Sequence, residues 1–556
     1  MATTSNPLIN VDFIDQSNYA QPIDTEDIVG FAVDVPFGQV GIPTVLDSEG
    51  FRQWVQPAGI PLRVNSSVAT ALRVFDCGAK YVEVVRVAPQ MSSGTSAYPT
   101  MQVGLSGSES TYTLSLTPGQ AESVTGLSNG TIAFKYPGIT LTDDSVKFTL
   151  SISGNAVQKN GMAPLFVIKL TVTVNDNTTN LETHTVSLTP LVINGVSYYL
   201  PDVLNRDSQY LIANSENREP IGSTVPTDDY SKITFTPEEE AFTYGSGVEV
   251  VNQEGADAWL EAYKPFADRD LSTATILINS VQGVGSGVPS RASNEDIYSK
   301  IQEYANTRMD CVALIGINPS ANIDISEANY EKIQEYFTQY TQVGGIFVGA
   351  IAAQEKVTYN NVTVLLDGTA TWAGRIVSVA QQLSNRNQLP SYKAYGQVNS
   401  VLNGSLPFDK VVSLMDDYGI GSIYRSVTGN YIFNIRSLYI DGNSYFGKLN
   451  VSRVTASFLR WMLSDVEQVI HTEVTSDEGQ RLAFGSRCNK KLSEMIARGE
   501  LKNNSYVNVG NDINSDALTN GGECLNIEAE LWFKKLTERV KISIIASDTT
   551  TQVTVE

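Results

Sequence analysis

The sequence predicts a multidomain α/β and α+β core with a large all-β insertion and extended N- and C-terminal strand arms. Three observations carry this. From Ala274 to Leu383 strand and helix patterns alternate. Between Ser92 and Glu240 the composition turns to Thr, Ser, Val and Asn, in short alternating runs separated by turn residues. Both ends read as strands: the N-terminal one has no hairpin partner following it, and at the other end Val540–Ile545 and Thr551–Val555 are strand-like, the latter with no downstream partner. The resulting division is an N-terminal arm at 1–22, a first core part at 23–91 and the insertion at 92–240. An α/β domain follows at 241–394, then an α+β domain at 395–539 and a C-terminal arm at 540–556.

At the N-terminus Ile9, Val11 and Phe13 alternate with polar residues, and residues 18–22 interrupt the run. The block from Gly38 to Val87 then reads as a Gly/Pro-broken strand, a short helix with Phe51 and Trp54, an amphipathic helix, Gly78 and a strand. Strands are expected in the insertion at Thr111–Leu116, Val146–Ile152, Phe166–Val174 and Thr183–Leu188. In the α/β domain Thr275–Asn279, Cys311–Ile315 and Gly345–Ile351 read as strands. Ser293 and Ser326 read as helix caps between them, and Trp372–Leu383 as a further helix. Strands separated by helices favour a parallel or mixed sheet. Beyond Tyr395, Val451–Ile470 carries an apolar stripe of Val454, Phe458, Met462, Val466 and Val469. A shorter helix, Leu492–Arg498, is closed by Gly499, and strands follow at Tyr506–Val509 and Leu525–Phe533. Val540, Ile542 and Ile544, then Val553 and Val555, supply the alternation of the C-terminal arm.

A length of 556 residues exceeds one core and suggests about three domains. The formal charge is −22, so nucleic-acid binding, which needs clustered bases, is disfavoured. The acidity serves solubility, or keeps crowded copies apart in a large assembly. Four scattered cysteines form no CxxC pair, and Cys77 and Cys311 sit among apolar residues as buried thiols. The opening MATTSNPLIN has neither a basic region nor an apolar core, so no signal peptide is expected. The longest apolar run, Gly344–Ala353, is too short to span a membrane.

The catalytic inventory is thin. His184 and His471 are the only histidines, which leaves no His-based metal site or Ser–His–Asp triad to build. Gly283–Ser290 reads GxGxG, not GxGxxG, with Val288 and Pro289 where a helix should open, so a flexible loop is expected. No phosphate-binding GxxxxGK[ST] occurs. Asp512, Asn514, Asp516 and Glu523 fit EF-hand positions, but Ala517 stands where the sharp turn needs Gly. A polar loop is the better reading, with a weak cation site as the alternative. No catalytic residue, cofactor or metal site is therefore assigned. One basic cluster stands out, with Arg481, Arg487, Lys490, Lys491, Arg498 and Lys502 against Glu494 and Glu500. It is a solvated helix face or a contact for an acidic partner protein.

The opening block, with Gly38, Gly41, Pro43, Val45, Ser48 and Phe51, then Gly78 and Val85–Arg86–Val87, resembles the N-terminal conserved region of contractile tail sheath proteins of myovirus-type bacteriophages. The segments 135–138 and Tyr198–Tyr210 are similar to two segments of larger phage sheaths, and Leu449–Met462 and Leu492–Leu501 resemble a helix start and a turn near the family's C-terminus. Ser452 replaces the first Arg of the family's paired arginines while Arg453 keeps the second, and the aromatic motif is reduced to 433–437.

The resemblance implies a structural subunit, not an enzyme. Such subunits polymerise as stacked rings into a helical tube around an inner tail tube. Contraction then drives the tube through the host envelope for genome ejection. Baseplate and tail terminator proteins are the further partners, with no direct nucleic acid or membrane insertion. The implied location is the virion tail, after synthesis in the host bacterial cytoplasm. Terminal arms, here Ile9, Val11 and Phe13 and Val540, Ile542, Ile544, Val553 and Val555, would add strands to neighbours' sheets. Alternatively both ends pair within their own subunit. Arg487, Lys490, Lys491, Arg498 and Lys502 are the candidate tube-facing bases. Alternative functions are the sheath of a bacterial injection device, a bacteriocin or secretion system, or a β-rich receptor-binding tail protein.

Overall fold

The computed structural model describes residues 27–35, 40–56, 64–87, 98–135, 146–154, 162–174, 177–214, 216, 218–225, 233–243, 256–281, 291–341, 345–391, 395–433, 436–439, 447–467, 478–514, 525–534, 542–546 and 551–555. Its centre is a nine-stranded sheet in the order Thr44–Asp47, Tyr81–Arg86, Val29–Val33, Ile276–Leu277, Val312–Gly316, Val348–Ala352, Ile420–Ser426, Gly429–Ile432 and Gln397–Val398. The inner strands from Tyr81–Arg86 to Ile420–Ser426 run parallel, and antiparallel strands close both edges. Val29–Val33, Val312–Gly316 and Val348–Ala352 are buried along their whole length. This explains their unbroken apolar sequence, since helices cover a parallel sheet on both faces.

Those helices start and stop where side chains supply the missing backbone partners. Asp47 caps the Ser48–Val55 helix by accepting from the Gly50 N–H, and Asn65 caps Ser66–Asp76 by accepting from the Val68 N–H. The Ser66–Asp76 helix packs on Thr369–Leu383 so closely that a Cβ at Gly374 would meet the Val74 carbonyl oxygen at 2.5 Å. Across this contact the Arg73 guanidinium donates to Thr371 Oγ1 at 2.7 Å and to Glu355 at 2.8 Å, all three residues being buried.

Residues 98–243 form a second unit with its own core. A five-stranded sheet orders Leu211–Ala213, Thr131–Phe134, Tyr98–Ser108, Thr111–Ala121 and Thr234–Thr236. A four-stranded sheet orders Glu238–Ala241, Val146–Gly154, Phe166–Val174 and Asn177–Val186. Alternate residues such as Tyr112, Leu114 and Leu116 enter a core that includes Phe134, Phe148 and Phe166. The stretch is not purely β. Leu200–Asp207 is a helix, started by Pro201 in its first turn and burying Leu200, Val203 and Leu204.

The third core lies between Leu449–Glu467, Glu478–Ala497 and the two-stranded sheet of Tyr506–Asn508 and Glu528–Glu530. Val454, Phe458, Met462 and Val466 face it as their spacing predicts; Val469 lies outside the described residues. The second helix is much longer than the expected Leu492–Arg498. It runs for 20 residues, and Arg481, Phe484, Cys488, Leu492 and Met495 share its buried face. Gly499, at φ +80°, lies two residues past its last residue, Ala497. Ser293 sits inside the Arg291–Arg308 helix, two residues past its start, and does not cap it.

Candidate functional site

The basic helix, Glu478–Ala497, separates Arg481, Arg487, Lys490 and Lys491 by helical phase, and Arg498 and Lys502 follow its end. Arg481 points inward, is 1% exposed and donates to Asn511. Arg487 lies on the solvent side, 3.2 Å from Asp465 and over the Phe484 ring. Lys490 and Lys502 are exposed. Lys491 is only 14% exposed and lies 3.8 Å from Glu494. Arg498 turns toward the buried Glu500 at 3.4 Å. The sequence cluster is therefore split: Arg487, Lys490 and Lys502 face solvent, while Lys491 and Arg498 lean into the molecule.

The termini divide similarly. Ile9, Val11, Phe13 and Val540 lie outside the described residues. Ile542–Ala546 and Thr551–Val555 pair with each other as an antiparallel hairpin, with Ile542 opposite Val555 and Ile544 opposite Val553. Thr551–Val555 thus has an upstream partner in its own chain. The hairpin is a separate two-stranded sheet, joined to no other sheet among the described residues. Tyr506–Asn508 and Glu528–Glu530 form another such pair. Beside it Phe458, Leu459, Met462, Leu531 and Phe533 line an apolar groove of about 330 Å³.

A polar cavity of about 230 Å³ lies on another side of the Leu449–Glu467 helix. Asp27, Asp310, Arg386, Arg453, Arg460 and Lys491 line it. Asp27 accepts from Arg453 at 3.2 Å and lies 3.3 Å from the Arg386 Nε. Arg386 also reaches Glu500 at 3.4 Å, and Arg460 reaches Asp310 at 3.2 Å. Burial depresses the Arg453 guanidinium below its ordinary range; Asp27 opposes this and Arg386 adds to it. Burial likewise lowers Arg460, against the pull of Asp310. Of these residues the sequence reading singled out only Arg453 and Lys491. A readable signal existed, since Arg453, Ser457, Arg460 and Ser464 repeat at four- and three-residue steps along one helix face.

The carboxyl ends of parallel strands, where α/β folds usually take ligands, are filled by amides. Asn279 and Asn318 both donate to the Val281 carbonyl, at 3.2 and 2.9 Å, and Asn403 donates to Gln354 at 3.0 Å. The Gly283–Ser290 loop lies outside the described residues, as do His471, Asp516 and Glu523. Asp512 accepts from Asn508 at 2.8 Å, and Asn514 is buried with its amide bonded to backbone carbonyls. No group of three or more His, Cys, Asp or Glu among the described residues is placed to hold a metal ion. No described helix is long and apolar enough to cross a membrane.

No protein-family model matches the sequence, and no curated protein matches it in sequence. The fold does have counterparts. A sheath tail protein from Desulfitobacterium hafniense superposes with a TM-score of 0.50 at 12% identity, over 97% of this chain and 98% of that one. This chain has the fold of a sheath tail protein. Further likenesses are a sheath tail protein from Listeria innocua, with a TM-score of 0.49 at 11% identity over 88% and 89% of the two chains, and the contracted helical sheath of the anti-feeding prophage, with a TM-score of 0.38 at 15% identity over 51% and 75%. The sheath fold runs through nearly the whole chain, so it takes in the central sheet and the polar cavity alike.

Proposed function

We propose that this chain is a structural subunit of a contractile phage tail sheath. In this reading it polymerises helically around an inner tail tube and contracts to drive that tube through the host envelope. The observation that carries the reading is the end-to-end correspondence of fold with a sheath tail protein. The mechanism is mechanical and needs no nucleotide. Rigid bodies, here the sheet core and the helical C-terminal domain, exchange one set of lateral contacts for a larger one. Strand segments keep the mesh connected.

Two features support such connections. Among the described residues the hairpin of Ile542–Ala546 and Thr551–Val555 is paired only with itself, and Glu528–Glu530 pairs on one side only, with Tyr506–Asn508, whose own outer edge is covered at Val507 by the Asn489 side chain. An open edge normally invites uncontrolled association. In a polymer it is where a neighbour's arm adds main-chain hydrogen bonds, with the apolar groove beside it taking alternate side chains. The solvent-facing Arg487, Lys490 and Lys502 are the bases that remain for an acidic inner tube. The β unit of residues 98–243 would lie outward.

Negative-stain electron microscopy of the purified chain tests the proposal. Hollow tubes or stacked rings are expected. A uniformly small particle under every condition tried would rule the reading out.

A further inference from the structure

Five Asn–Gly steps occur in the sequence, and three of them, Asn129–Gly130, Asn194–Gly195 and Asn403–Gly404, lie among the described residues. Two of the three are fastened. Asn129 accepts from the Tyr199 hydroxyl at 3.0 Å and donates to the Glu219 carbonyl at 3.2 Å, and the buried Gly130 accepts from the Val103 N–H at 2.9 Å. Asn403 donates through its side chain to Gln354 Oε1 at 3.0 Å and through its N–H to the Gln354 carbonyl at 2.9 Å. A Cβ at Gly404 would meet the Ile325 carbonyl oxygen at 2.4 Å, so that peptide is hemmed in.

Asn194–Gly195 is held by much less. It is the two-residue turn of a hairpin whose strands, Val192–Ile193 and Val196–Ser197, form a separate two-stranded sheet. Asn194 at φ +52° and Gly195 at φ +80° take the turn conformation that favours this dipeptide. Both residues are exposed, and the Asn194 side chain makes no hydrogen bond among the described residues. A Cβ at Gly195 would meet nothing within 4 Å. Besides the short ladder, only the bond from the Tyr198 N–H to the Leu191 carbonyl, at 2.8 Å, closes the hairpin among the described backbone bonds. So small a ladder is marginal, and the turn opens by local unfolding without disturbing the core of the β unit.

We propose that Asn194 is a site of spontaneous deamidation, the most reactive of these three steps. When the turn opens, the Gly195 main-chain nitrogen, its proton taken by hydroxide, attacks the Asn194 side-chain carbonyl carbon. A C–N bond forms, the side-chain nitrogen takes up a proton and leaves as ammonia, and a cyclic imide remains. Water then opens the imide at either carbonyl. One opening gives aspartate; the other gives isoaspartate, with the main chain rerouted through the side chain. Glycine suits the attack because no side chain shields its nitrogen. Either product puts a carboxylate between Val192 and Val196, which are 61% and 46% exposed. Isoaspartate also lengthens the turn by a methylene, which no longer matches a two-residue hairpin. The exposed apolar hairpin thus turns anionic with age. The inference does not depend on the sheath reading.

The test is incubation of the full chain at mildly alkaline pH, followed by digestion and mass spectrometry of the peptides. The peptide carrying Asn194 is expected to gain the mass difference between an amide and an acid, and to divide into aspartyl and isoaspartyl forms. Its rate should exceed those of the peptides carrying Asn129 and Asn403 at least fivefold. In urea, where the fold no longer protects the other two, the three rates should converge to within about threefold. Asn194 reacting no faster than Asn129 or Asn403 in the folded chain overturns the proposal. So does a fivefold preference that persists in urea, which would trace the reactivity to neighbouring sequence and not to the fold.

Discussion

Asp27 and Arg453 stand 426 positions apart in sequence and meet at 3.2 Å in the interior. Asp27 precedes the Val29–Val33 strand, third of the nine in the sheet; Arg453 lies in the first turns of the Leu449–Glu467 helix. With Arg386 on the same carboxylate, one acid fastens the beginning of the described chain to its C-terminal domain. Asp27→Asn should cost about 3–5 kcal/mol in urea unfolding, the range for breaking a buried ion pair from one side. A loss below about 1 kcal/mol would show that the fastening is incidental.

Glu83 does similar work near the same, amino-terminal end of these parallel strands. Its carboxylate is 2% exposed and accepts from the Ser272 hydroxyl and Ala274 N–H at 2.7 Å and from the Thr273 N–H and hydroxyl at 3.0 Å. This pins the chain entering Ile276–Leu277 against its neighbours. Glu83→Gln should lose about 2–3 kcal/mol of unfolding free energy, since hydrogen bonds to a charged acceptor weaken and one amide hydrogen pair meets donors. An unchanged unfolding midpoint would contradict this.

Gly374 allows the two helices over the sheet to touch. A methyl group there would lie 2.5 Å from the Val74 carbonyl oxygen and 2.7 Å from Cys77 Cβ. Gly374→Ala is expected to destabilise by about 1–3 kcal/mol, although alanine is the better helix former. A more stable variant would mean that the helices separate at little cost.

Cys77 and Cys311 are buried thiols, each pushed up to about 11 by desolvation from an ordinary value of 9.0. Tyr263, fully buried, is pushed up to about 12 from 10.0 for the same reason. The folded chain holds these protons where the unfolded chain has lost them. Their contribution is intact below pH 9 and is lost as pH rises to about 11 and beyond. Unfolding free energy measured from pH 8 to 11 should therefore fall, and Cys77 and Cys311 should resist thiol reagents at pH 8 until the chain is unfolded. Rapid labelling of either in the native protein would refute this.

Removal of residues 540–556 should leave a cooperatively folded chain that no longer forms tubes, and removal of residues 1–19 should do the same. Light scattering and microscopy read the first property, thermal unfolding the second. Normal tubes from either truncation would show that strand exchange at that end is not the connecting device. Replacing Arg487, Lys490 and Lys502 with Glu should weaken docking on an acidic tube protein and leave the fold intact; undiminished docking would remove that role from them.

Much of the core was legible because burial on both faces of a parallel sheet leaves an unbroken apolar signature, as in Val312–Gly316 and Val348–Ala352. The apolar stripe of Val454, Phe458 and Met462 was legible because a helix buried on one face repeats its apolar residues at three- and four-residue steps. The Glu478–Ala497 helix was read too short because its buried face includes Arg481 and Gly485, which break the apolar pattern. Gly485 is there because Val509 approaches within 2.6 Å of where its Cβ would be. The polar cavity was not legible as a whole. Asp27, Asp310 and Arg386 are single polar residues whose meeting depends on the topology, and only the Arg453–Ser457–Arg460–Ser464 repeat had a local signature.

The place of Val29–Val33 in the sheet also fixes when the chain can fold. One of its neighbours, Tyr81–Arg86, emerges from the ribosome soon after it, but the other, Ile276–Leu277, is made almost 250 residues later, and the far parallel strand Ile420–Ser426 later still. Residues 98–243 meanwhile carry all the partners they need for their own five- and four-stranded sheets. Synthesis thus delivers a finished β unit while the central sheet waits with open edges for its last strands. Closure of ladders this distant in sequence is slow. Asp27 gains Arg453 only after that wait, so the contact that joins the chain's first part to its C-terminal domain is among the last that a nascent chain can make.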